Sequence, residues 1–247
     1  MTLIDRTRTR GVETLILDSP HNRNALSAAL VGDLAAALTD AGKDTGVRAV
    51  LLTHTGNTFS AGADLRDPPD PDALVGLLRQ IVELPKPVIA RVTGHVRAGG
   101  LGLLAACDIA AASAQATFAF TEVRIGVAPA VISLTLLPRT DPRALARYYL
   151  TGERFDAAEA ARIGLVTAAG EDMDDMDAVL EPVLDGIRRS SPQALAETKR
   201  LLTARVLETF DRDAADLTAL SARLFASAEA REGMTAFLER RDAEWVV

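Results

Sequence analysis

Two glycine-containing segments indicate the fold most directly: Phe59-Ser60-Ala61-Gly62-Ala63-Asp64-Leu65 and Gly94-His95-Val96-Arg97-Ala98-Gly99-Gly100. Each follows a predicted β-strand, and the second leads into small apolar residues that predict a helix. Small residues let the backbone approach a ligand closely and direct its N–H groups outward. A helix that begins at Gly99 would add the positive end of its dipole at the same place. Taken alone, each segment is also explained by tight turns that pack helices on a sheet.

Working outward from these segments, strands and helices alternate along the first 120 residues. The predicted elements are strand Val12–Leu17, helix Leu26–Ala41, strand Val47–Thr53, helix Asp72–Glu83, strand Val88–Val92, helix Leu101–Ala106, strand Asp108–Ala112 and strand Thr117–Phe120. In the first of the helices, leucines recur every four positions along one face. Strands separated by helices predict βαβ units, and therefore an α/β fold with a mainly parallel sheet.

From Asp141 onward the pattern is helical. The predicted helices are Arg143–Thr151, Ala157–Ile163, Met173–Arg189, Pro192–Val206, Asp213–Ala230 and Thr235–Asp242. Ser191-Pro192 is a typical helix start, because serine caps free N–H groups and proline is tolerated in the first turn. We interpret the acidic run Glu171-Asp172-Met173-Asp174-Asp175 as the solvated start of a helix rather than a cation site.

Composition excludes several classes of protein. The chain has 247 residues, 48% of them apolar, with a net charge of −7, which argues against a general nucleic-acid binder. Its one cysteine, Cys107, excludes an intrachain disulfide and a multi-cysteine metal site, and the three histidines lack the spacing of a zinc site. The N-terminus has no apolar signal region, and the longest apolar stretches are too short to cross a membrane. We therefore expect a cytoplasmic enzyme without a metal.

Together the motifs resemble the enoyl-CoA hydratase/isomerase (crotonase) family, in the family's order from Ile16 to Trp245. The matching positions are Asn24-Ala25-Leu26, Phe59–Leu65, Lys86-Pro87-Val88-Ile89-Ala90, Gly94, Ala98-Gly99-Gly100, Cys107-Asp108-Ile109, Phe118, Glu122, Gly126, Pro129, Thr151-Gly152-Glu153-Arg154-Phe155, Gly164-Leu165-Val166 and Ser191-Pro192. No single piece is decisive, and the family assignment rests on the combination.

The resemblance implies a crotonase-like spiral of ββα turns over residues 1–190 and a C-terminal helical trimerisation region over residues 191–247. It implies a homotrimer or homohexamer whose substrate is an acyl-CoA thioester, with no further cofactor. By position, the backbone N–H groups of Ala63 and Gly99 fall in the family's oxyanion hole. The residues expected to line the substrate are Asn22, Arg23, Asn24, Ala61, Ala63, Asp64, Leu65, Arg66 and Gly99.

One position departs from the family pattern. Hydratases of this family typically place two glutamates beside the substrate; the second matches Glu122, whereas the first falls on Gly102. The chain therefore resembles members that lack the first catalytic glutamate. We expect Glu122 to act alone as base and then acid, and the missing side chain to free space for a substrate group or a water.

Three functions remain open from the sequence. A hydratase-like enzyme that passes through a thioester enolate is favoured, with a double-bond isomerase or other acyl-CoA enolate chemistry as the alternative. A catalytically weak acyl-CoA-binding subunit is the second alternative, suggested by Gly102. Among nearby residues, His95 is expected to make structural hydrogen bonds and Cys107 to be a buried inert thiol. Arg97 is expected to be solvated or salt-bridged, with contact to an acidic acyl group as the alternative.

Overall fold

The computed structural model describes residues 2–170 and 173–247, with side chains from residue 176 onward in the second part. The acidic run at 171–175 therefore lies outside the residues whose side chains are described. Within the described ranges the strands are β1 Ile4–Thr9, β2 Val12–Leu17, β3 Ala49–His54, β4 Thr58–Ser60, β5 Val88–Val92, β6 His95–Arg97, β7 Ile109–Ser113, β8 Thr117–Ala119, β9 Phe155–Asp156 and β10 Ala168–Gly170.

Nine α-helices accompany these strands in the described residues. They are α1 Ala28–Lys43, α2 Pro71–Glu83, α3 Gly99–Ala106, α4 Ser133–Leu136, α5 Pro142–Thr151, α6 Ala157–Arg162, α7 Met173–Arg189, α8 Pro192–Phe225 and α9 Ala228–Glu239. Helix α1 begins after Ser27, whose hydroxyl accepts a hydrogen bond from the N–H of Leu30. No described helix has the combination of length and apolar character that a membrane crossing needs.

The strands form two sheets that the chain visits alternately. A six-stranded sheet has the order β1-β2-β3-β5-β7-β10, and a four-stranded sheet has the order β4-β6-β8-β9. Strands β3, β5 and β7 lie in the large sheet, and each is followed by one parallel strand of the small sheet, β4, β6 and β8. Helices α2 and α3 follow the first two of these strand pairs. The result is the predicted spiral of ββα turns.

The C-terminal helices pack against this spiral, and α8 is fixed to it by one buried cation. Val206 and Phe210 on α8 belong to the main hydrophobic core. The ammonium of Lys199, which is 5% exposed, donates to the carbonyls of Ile81 and Lys86 and pairs with Asp108 at 2.8 Å. A buried charge is tolerated only when it is paired and hydrogen-bonded, and here it anchors the helix.

Most predicted elements are observed within one to three residues, with several differences. The helix predicted at Thr235–Asp242 is α9, which begins seven residues earlier, at Ala228, and ends at Glu239. The helices predicted at Pro192–Val206 and Asp213–Ala230 are one continuous helix, α8, because no glycine or proline interrupts residues 193–225. Strand β1 was not predicted: five of its six residues are exposed or half-buried, so it carries little apolar signal. Strand β6 lies inside Gly94–Gly100, which was expected to form a loop. The short elements β4, α4, β9 and β10 were not predicted either.

Candidate active site

The candidate site lies at one end of the small sheet. The segments around Ala63, Gly99 and Glu122 directly follow β4, β6 and β8, which run parallel to one another. Because the carboxyl ends of parallel strands lie at the same edge, the topology brings the three segments together. Residues that are 59 positions apart in the chain thus share one site.

In the first glycine-containing segment, the loop around Ala63 is held by backbone hydrogen bonds of the residues on either side of it. Ala63 forms an isolated parallel bridge with Leu26, in which the N–H of Leu26 donates to the carbonyl of Gly62 at 2.7 Å. The N–H of Asp64 donates in turn to the carbonyl of Leu26 at 3.0 Å. In an extended segment the N–H groups alternate in direction, so the N–H of Ala63 points away from Leu26. It donates no hydrogen bond to another described residue.

In the second loop, an unusual backbone conformation at Ala98 precedes the first residue of α3. Ala98 has φ +45° and ψ −122°, a region that residues with a side chain rarely adopt. Its own N–H donates to the carbonyl of Ala119 at 3.1 Å, which fixes the loop to β8. Gly99 then occupies the first turn of α3, where N–H groups have no partner within the helix. Its N–H is free of acceptors among the described residues.

The two loops contact each other closely. A Cβ placed on Gly62 would lie 3.3 Å from the backbone nitrogen of Gly99 and 2.7 Å from the Cβ of Ala98. A Cβ placed on Gly99 would lie 3.7 Å from the backbone nitrogen of Ala63. Two unpaired N–H groups are therefore adjacent, and side chains are excluded between them.

Glu122 is the buried acidic group of the site. It opens a 3₁₀ turn, Glu122–Ile125, at the end of β8, and its side chain is 8% exposed. Its Oε2 atom is buried without a hydrogen-bond partner among the described residues. Burial raises the pKa of the Glu122 carboxyl to about 7, because the charged form loses its hydration. A carboxyl with this pKa can both accept and donate a proton near neutral pH.

One cavity of about 1060 Å³ contains all three groups. The expected ligand-lining residues that border it are Asn22, Arg23, Ala61, Ala63, Asp64, Leu65, Arg66 and Gly99. Asn24 does not border it, which corrects the expectation from the sequence. Its fully buried amide accepts from the N–H of Ser19 and donates to the carbonyls of Thr55 and Thr58, so it holds the loop.

The expectation of free space beside Gly102 is wrong. A Cβ placed on Gly102 would lie 2.5 Å from Cγ2, 2.8 Å from Cβ and 3.3 Å from Cα of Ile132. The hydroxyl of Thr135 also donates to the Gly102 carbonyl at 3.1 Å, which fixes the approaching segment. Ile132 borders the cavity, so an aliphatic wall stands where the sequence suggested a vacancy for water.

Three further residues were considered from the sequence. His95 accepts or donates one hydrogen bond with the Thr117 hydroxyl at 3.0 Å, which agrees with a structural role. Cys107 is buried, and burial raises the pKa of its thiol to about 12, which agrees with an inert thiol. Arg97, expected to be solvated or salt-bridged, is half-buried and has no carboxylate partner among the described residues, a correction developed below.

Sequence reasoning did not find the C-terminal wall of the cavity. That wall includes Phe225, Phe237, Leu238 and Trp245. Phe237, Leu238 and Trp245 are each at least 40% exposed, so their apolar surface faces the open cavity. The aromatic residues Phe237 and Trp245 near the end of the sequence were the signal that could have indicated this wall. No cluster of three or more potential metal ligands exists in the described part of the chain.

This arrangement defines a class of protein: an α/β chain that places two unpaired backbone donors and one buried carboxyl in a single cavity, as enzymes acting beside a polarised carbonyl require. The family model for enoyl-CoA hydratase/isomerase matches residues 7–246. The chain therefore belongs to the enoyl-CoA hydratase/isomerase family, and it is an enzyme of this family with the crotonase fold.

Similar proteins support the assignment. A crystal structure of an enoyl-CoA hydratase from Mycobacterium avium is 54% identical, covers 99% of both chains and superposes with a TM-score of 0.92. Carnitinyl-CoA dehydratase from Proteus mirabilis is 32% identical over 96% of this chain and 96% of its own length. The 2,3-dehydroadipyl-CoA hydratase from Escherichia coli is 30% identical, again over 96% of both chains. The named reactions all involve acyl-CoA thioesters, but they differ in substrate.

Proposed function

We propose that this enzyme adds water to the 2,3-double bond of an enoyl-CoA through a thioester enolate. One observation carries the proposal: Glu122 borders the same cavity as Ala63 and Gly99, and neither its buried Oε2 atom nor their two backbone N–H groups have a hydrogen-bond partner among the described residues. The reaction needs donors for the thioester oxygen and one group that moves protons at the neighbouring carbons. The cavity supplies both, and the acyl-CoA is the substrate rather than a cofactor.

In the proposed reaction, the N–H groups of Ala63 and Gly99 bind the thioester oxygen as it gains negative charge. Glu122 takes a proton from water as the water oxygen bonds to C3, and the electrons of the double bond move to form the enolate. The protonated Glu122 then gives a proton to C2, which restores the thioester and the carboxylate. Because the pKa of Glu122 is about 7, both protonation states are populated at neutral pH.

The test is the hydration of crotonyl-CoA, followed by the loss of ultraviolet absorbance of the conjugated thioester. Replacing Glu122 by Gln keeps the shape of the side chain and removes its proton transfer. We expect kcat to fall roughly 100- to 10,000-fold, with little change in the Kd of the saturated analogue butyryl-CoA. An unchanged kcat would show that Glu122 is not the catalyst.

Double-bond isomerisation is the second candidate, and the contact between Gly102 and Ile132 favours it. Ile132 fills the position that the side chain of a second carboxylate would need, so Glu122 is left to move protons at this part of the cavity. Isomerisation needs one such group. A 3-enoyl-CoA distinguishes the two reactions, because its isomerisation creates the conjugated absorbance that hydration removes. Conversion of 3-enoyl-CoA without consumption of crotonyl-CoA would replace hydration by isomerisation.

We also propose that the enzyme is a homotrimer or homohexamer in the cytoplasm, with residues 191–247 as the assembly region. The exposed leucines on α8 support this proposal: Leu201 is 81% exposed and its neighbour Leu202 is 75% exposed. Adjacent exposed leucines on a helix are typical of a surface that a partner covers. Light scattering should give a multiple of the 26.2 kDa chain, and the double variant Leu201→Asp, Leu202→Asp should be smaller. A monomeric unmodified protein would contradict the proposal.

A further inference from the structure

Three arginines on neighbouring segments border the cavity: Arg97 on β6, Arg154 immediately before β9, and Arg23, whose carbonyl accepts a hydrogen bond from the N–H of Ala61 just after β4. Strands β4, β6, β8 and β9 are neighbours in the small sheet, so its order brings the three segments together. We propose that Arg23, Arg97 and Arg154 form a subsite for a carboxylate carried by the acyl group of the substrate. The proposal rests on the proposed function in that the substrate is an acyl-CoA thioester. It adds a charged specificity element that neither the two N–H groups nor Glu122 provides.

The guanidinium of Arg97 is held in place by neutral oxygen atoms. It donates to the Val96 carbonyl at 2.9 Å, to the Thr117 carbonyl at 2.5 Å and to the Thr117 hydroxyl at 2.8 Å. These hydrogen bonds fix the planar group on the surface of β8, while its positive charge stays without a counterion among the described residues. An oriented but uncompensated guanidinium matches the geometry of a carboxylate or a phosphate.

The other two arginines add positive charge at the same place. Arg154 and Arg23 are exposed and border the cavity, and neither forms an ion pair within the described part of the chain. Burial, followed by the charges of Arg154 and then Arg23, lowers the pKa of Arg97 to about 10. The pKa of the neighbouring His95 is lowered by burial and by Arg97 and Arg154. The three arginines therefore repel one another, and a bound anion would relieve that repulsion.

This arrangement differs from the usual environment of arginine in the chain. Acidic residues outnumber basic ones by 34 to 27, and many arginines have a carboxylate within 3 Å, as in the pairs Arg8–Glu13 and Arg162–Glu159. The acidic groups that border the cavity are Asp64, Glu122 and Asp242. Asp64 is engaged by the side chain of Asn22 and the N–H of Arg66. Positive charge thus accumulates locally in an acidic protein.

An acyl-CoA can supply the anion from either of two ends. The CoA part carries phosphate groups, whereas an acyl chain carries a carboxylate only when it derives from a dicarboxylic acid. Arg97 lies two residues before Gly99, within a few ångströms of chain length from the thioester-binding amide. The position of Arg97 therefore favours the acyl end. Binding of the CoA phosphates is expected of any acyl-CoA enzyme, and the experiment separates it from recognition of an acyl carboxylate.

The experiment measures the binding of three saturated thioesters by calorimetry: valeryl-CoA, glutaryl-CoA and valeryl-pantetheine. Glutaryl-CoA has the same five acyl carbons as valeryl-CoA but carries a carboxylate in place of the terminal methyl group. Valeryl-pantetheine lacks every phosphate. The variants are Arg97→Gln and Arg154→Gln. The control is Arg212→Gln on α8, whose guanidinium pairs with the adjacent Asp213 and which is not among the described residues that border the cavity. Because none of these probes can be hydrated, failure of the proposed reaction would not affect the result.

We expect each cavity variant to weaken the binding of glutaryl-CoA by roughly 10-fold or more, as for loss of a charged hydrogen bond, and to leave valeryl-CoA and valeryl-pantetheine within about twofold of the unmodified enzyme. An equal loss for both CoA thioesters, with valeryl-pantetheine unchanged, would mean that the arginines bind only the CoA phosphates and would overturn the proposal. Equal weakening of all three probes, or a Kd for glutaryl-CoA within about twofold of the unmodified enzyme, also overturns the proposal. Arg154 is exposed and unpaired within the described residues, so its variant also tests the subsite if Arg97→Gln perturbs β6.

Discussion

Ile132 occupies the space that any side chain at Gly102 would require, with its Cγ2 atom only 2.5 Å from the position of a Cβ on that glycine. The contact extends to the Ile132 backbone, whose Cα would lie 3.3 Å away. The absence of a glutamate at this position is therefore accompanied by a second change, because Ile132 fills the space that its side chain would need. The segment around Ile132 packs directly on α3, and the site is built for one carboxylate.

The first prediction concerns this contact. Gly102→Ala should lower the free energy of unfolding by roughly 1–3 kcal/mol, since overpacking a filled core forces the structure to move. Gly76→Ala is the matched control, because Gly76 also lies inside a helix but has nothing within 4 Å of the position that an added methyl group would take. It should raise the free energy by roughly 0.5–1 kcal/mol. Urea unfolding measures both.

The same contact predicts coupling between the two residues. In the double variant Gly102→Ala, Ile132→Ala, the loss should be smaller than the sum of the single losses, because the closest colliding atom is absent. Additive losses would mean that Ile132 does not block position 102. Gly102→Glu alone should destabilise the fold and should not increase hydration of crotonyl-CoA.

The second prediction concerns the contact between the two amide loops. Gly62 has φ +90°, and a methyl group there would lie 2.7 Å from the Cβ of Ala98, so Gly62→Ala should push the loops apart. Losing one aligned oxyanion donor typically costs roughly 100- to 1,000-fold in kcat. Gly56→Ala provides the control for backbone strain, because Gly56 has φ +72° but contacts Pro20. It should destabilise the protein while leaving kcat within about threefold, and an equal loss of kcat in both variants would contradict the role of the loops.

The sequence predicts the parts of this site that lie in local motifs, but not the contacts that depend on tertiary packing. The two loops stood out in the sequence because small residues follow predicted strands there, whereas Glu122 was identified by its match to the family pattern. The contact between Gly102 and Ile132 was not, because it depends on how two segments 30 positions apart pack, and Ile132 lies in an apolar run that indicates only burial. For Arg97 the sequence favoured a solvated or salt-bridged side chain over contact with an acidic acyl group. Only the tertiary structure shows that no carboxylate of the described residues pairs with it.

The fold divides in the same way. Strand β2 and helix α7 were predicted at their observed bounds, because both have strong periodic apolar patterns or clear ends. Strand β1 pairs with β2 through backbone hydrogen bonds, and its polar side chains carry no pattern that would reveal it. Helix α8 was divided in two because its exposed and half-buried residues weaken the apolar periodicity near its middle.

The third prediction concerns the buried cation of α8. Lys199→Met removes the ammonium that pairs with Asp108 and bonds two carbonyls, so Asp108 keeps a charge without this partner. Breaking a buried pair in this way typically costs roughly 3–5 kcal/mol. Arg200→Met, the next residue on the same helix, removes only an exposed pair with Glu197 and should cost less than about 1 kcal/mol. Similar losses in the two variants would show that Lys199 is not an anchor.

The last prediction follows from the pKa of Glu122, which burial raises to about 7 from an ordinary value near 4.5. Since the folded state holds this proton more tightly than the unfolded state, the folded protein is favoured while the carboxyl is protonated. That contribution is fully present below about pH 4.5 and is lost as the pH rises through 7, and over this window it amounts to roughly 3 kcal/mol. Glu122→Gln is neutral at every pH and lacks this dependence.

The stability difference between the two proteins isolates this one group, because all other titrations are common to both. The unmodified enzyme minus the Gln variant should therefore lose roughly 2–3 kcal/mol of unfolding free energy between pH 5 and pH 8 in urea titrations. A constant difference across this range would mean that Glu122 titrates at an ordinary pKa in the folded enzyme. In that case it would be fully ionised at neutral pH, and its carboxylate would be a weaker base towards water than the proposed reaction assumes.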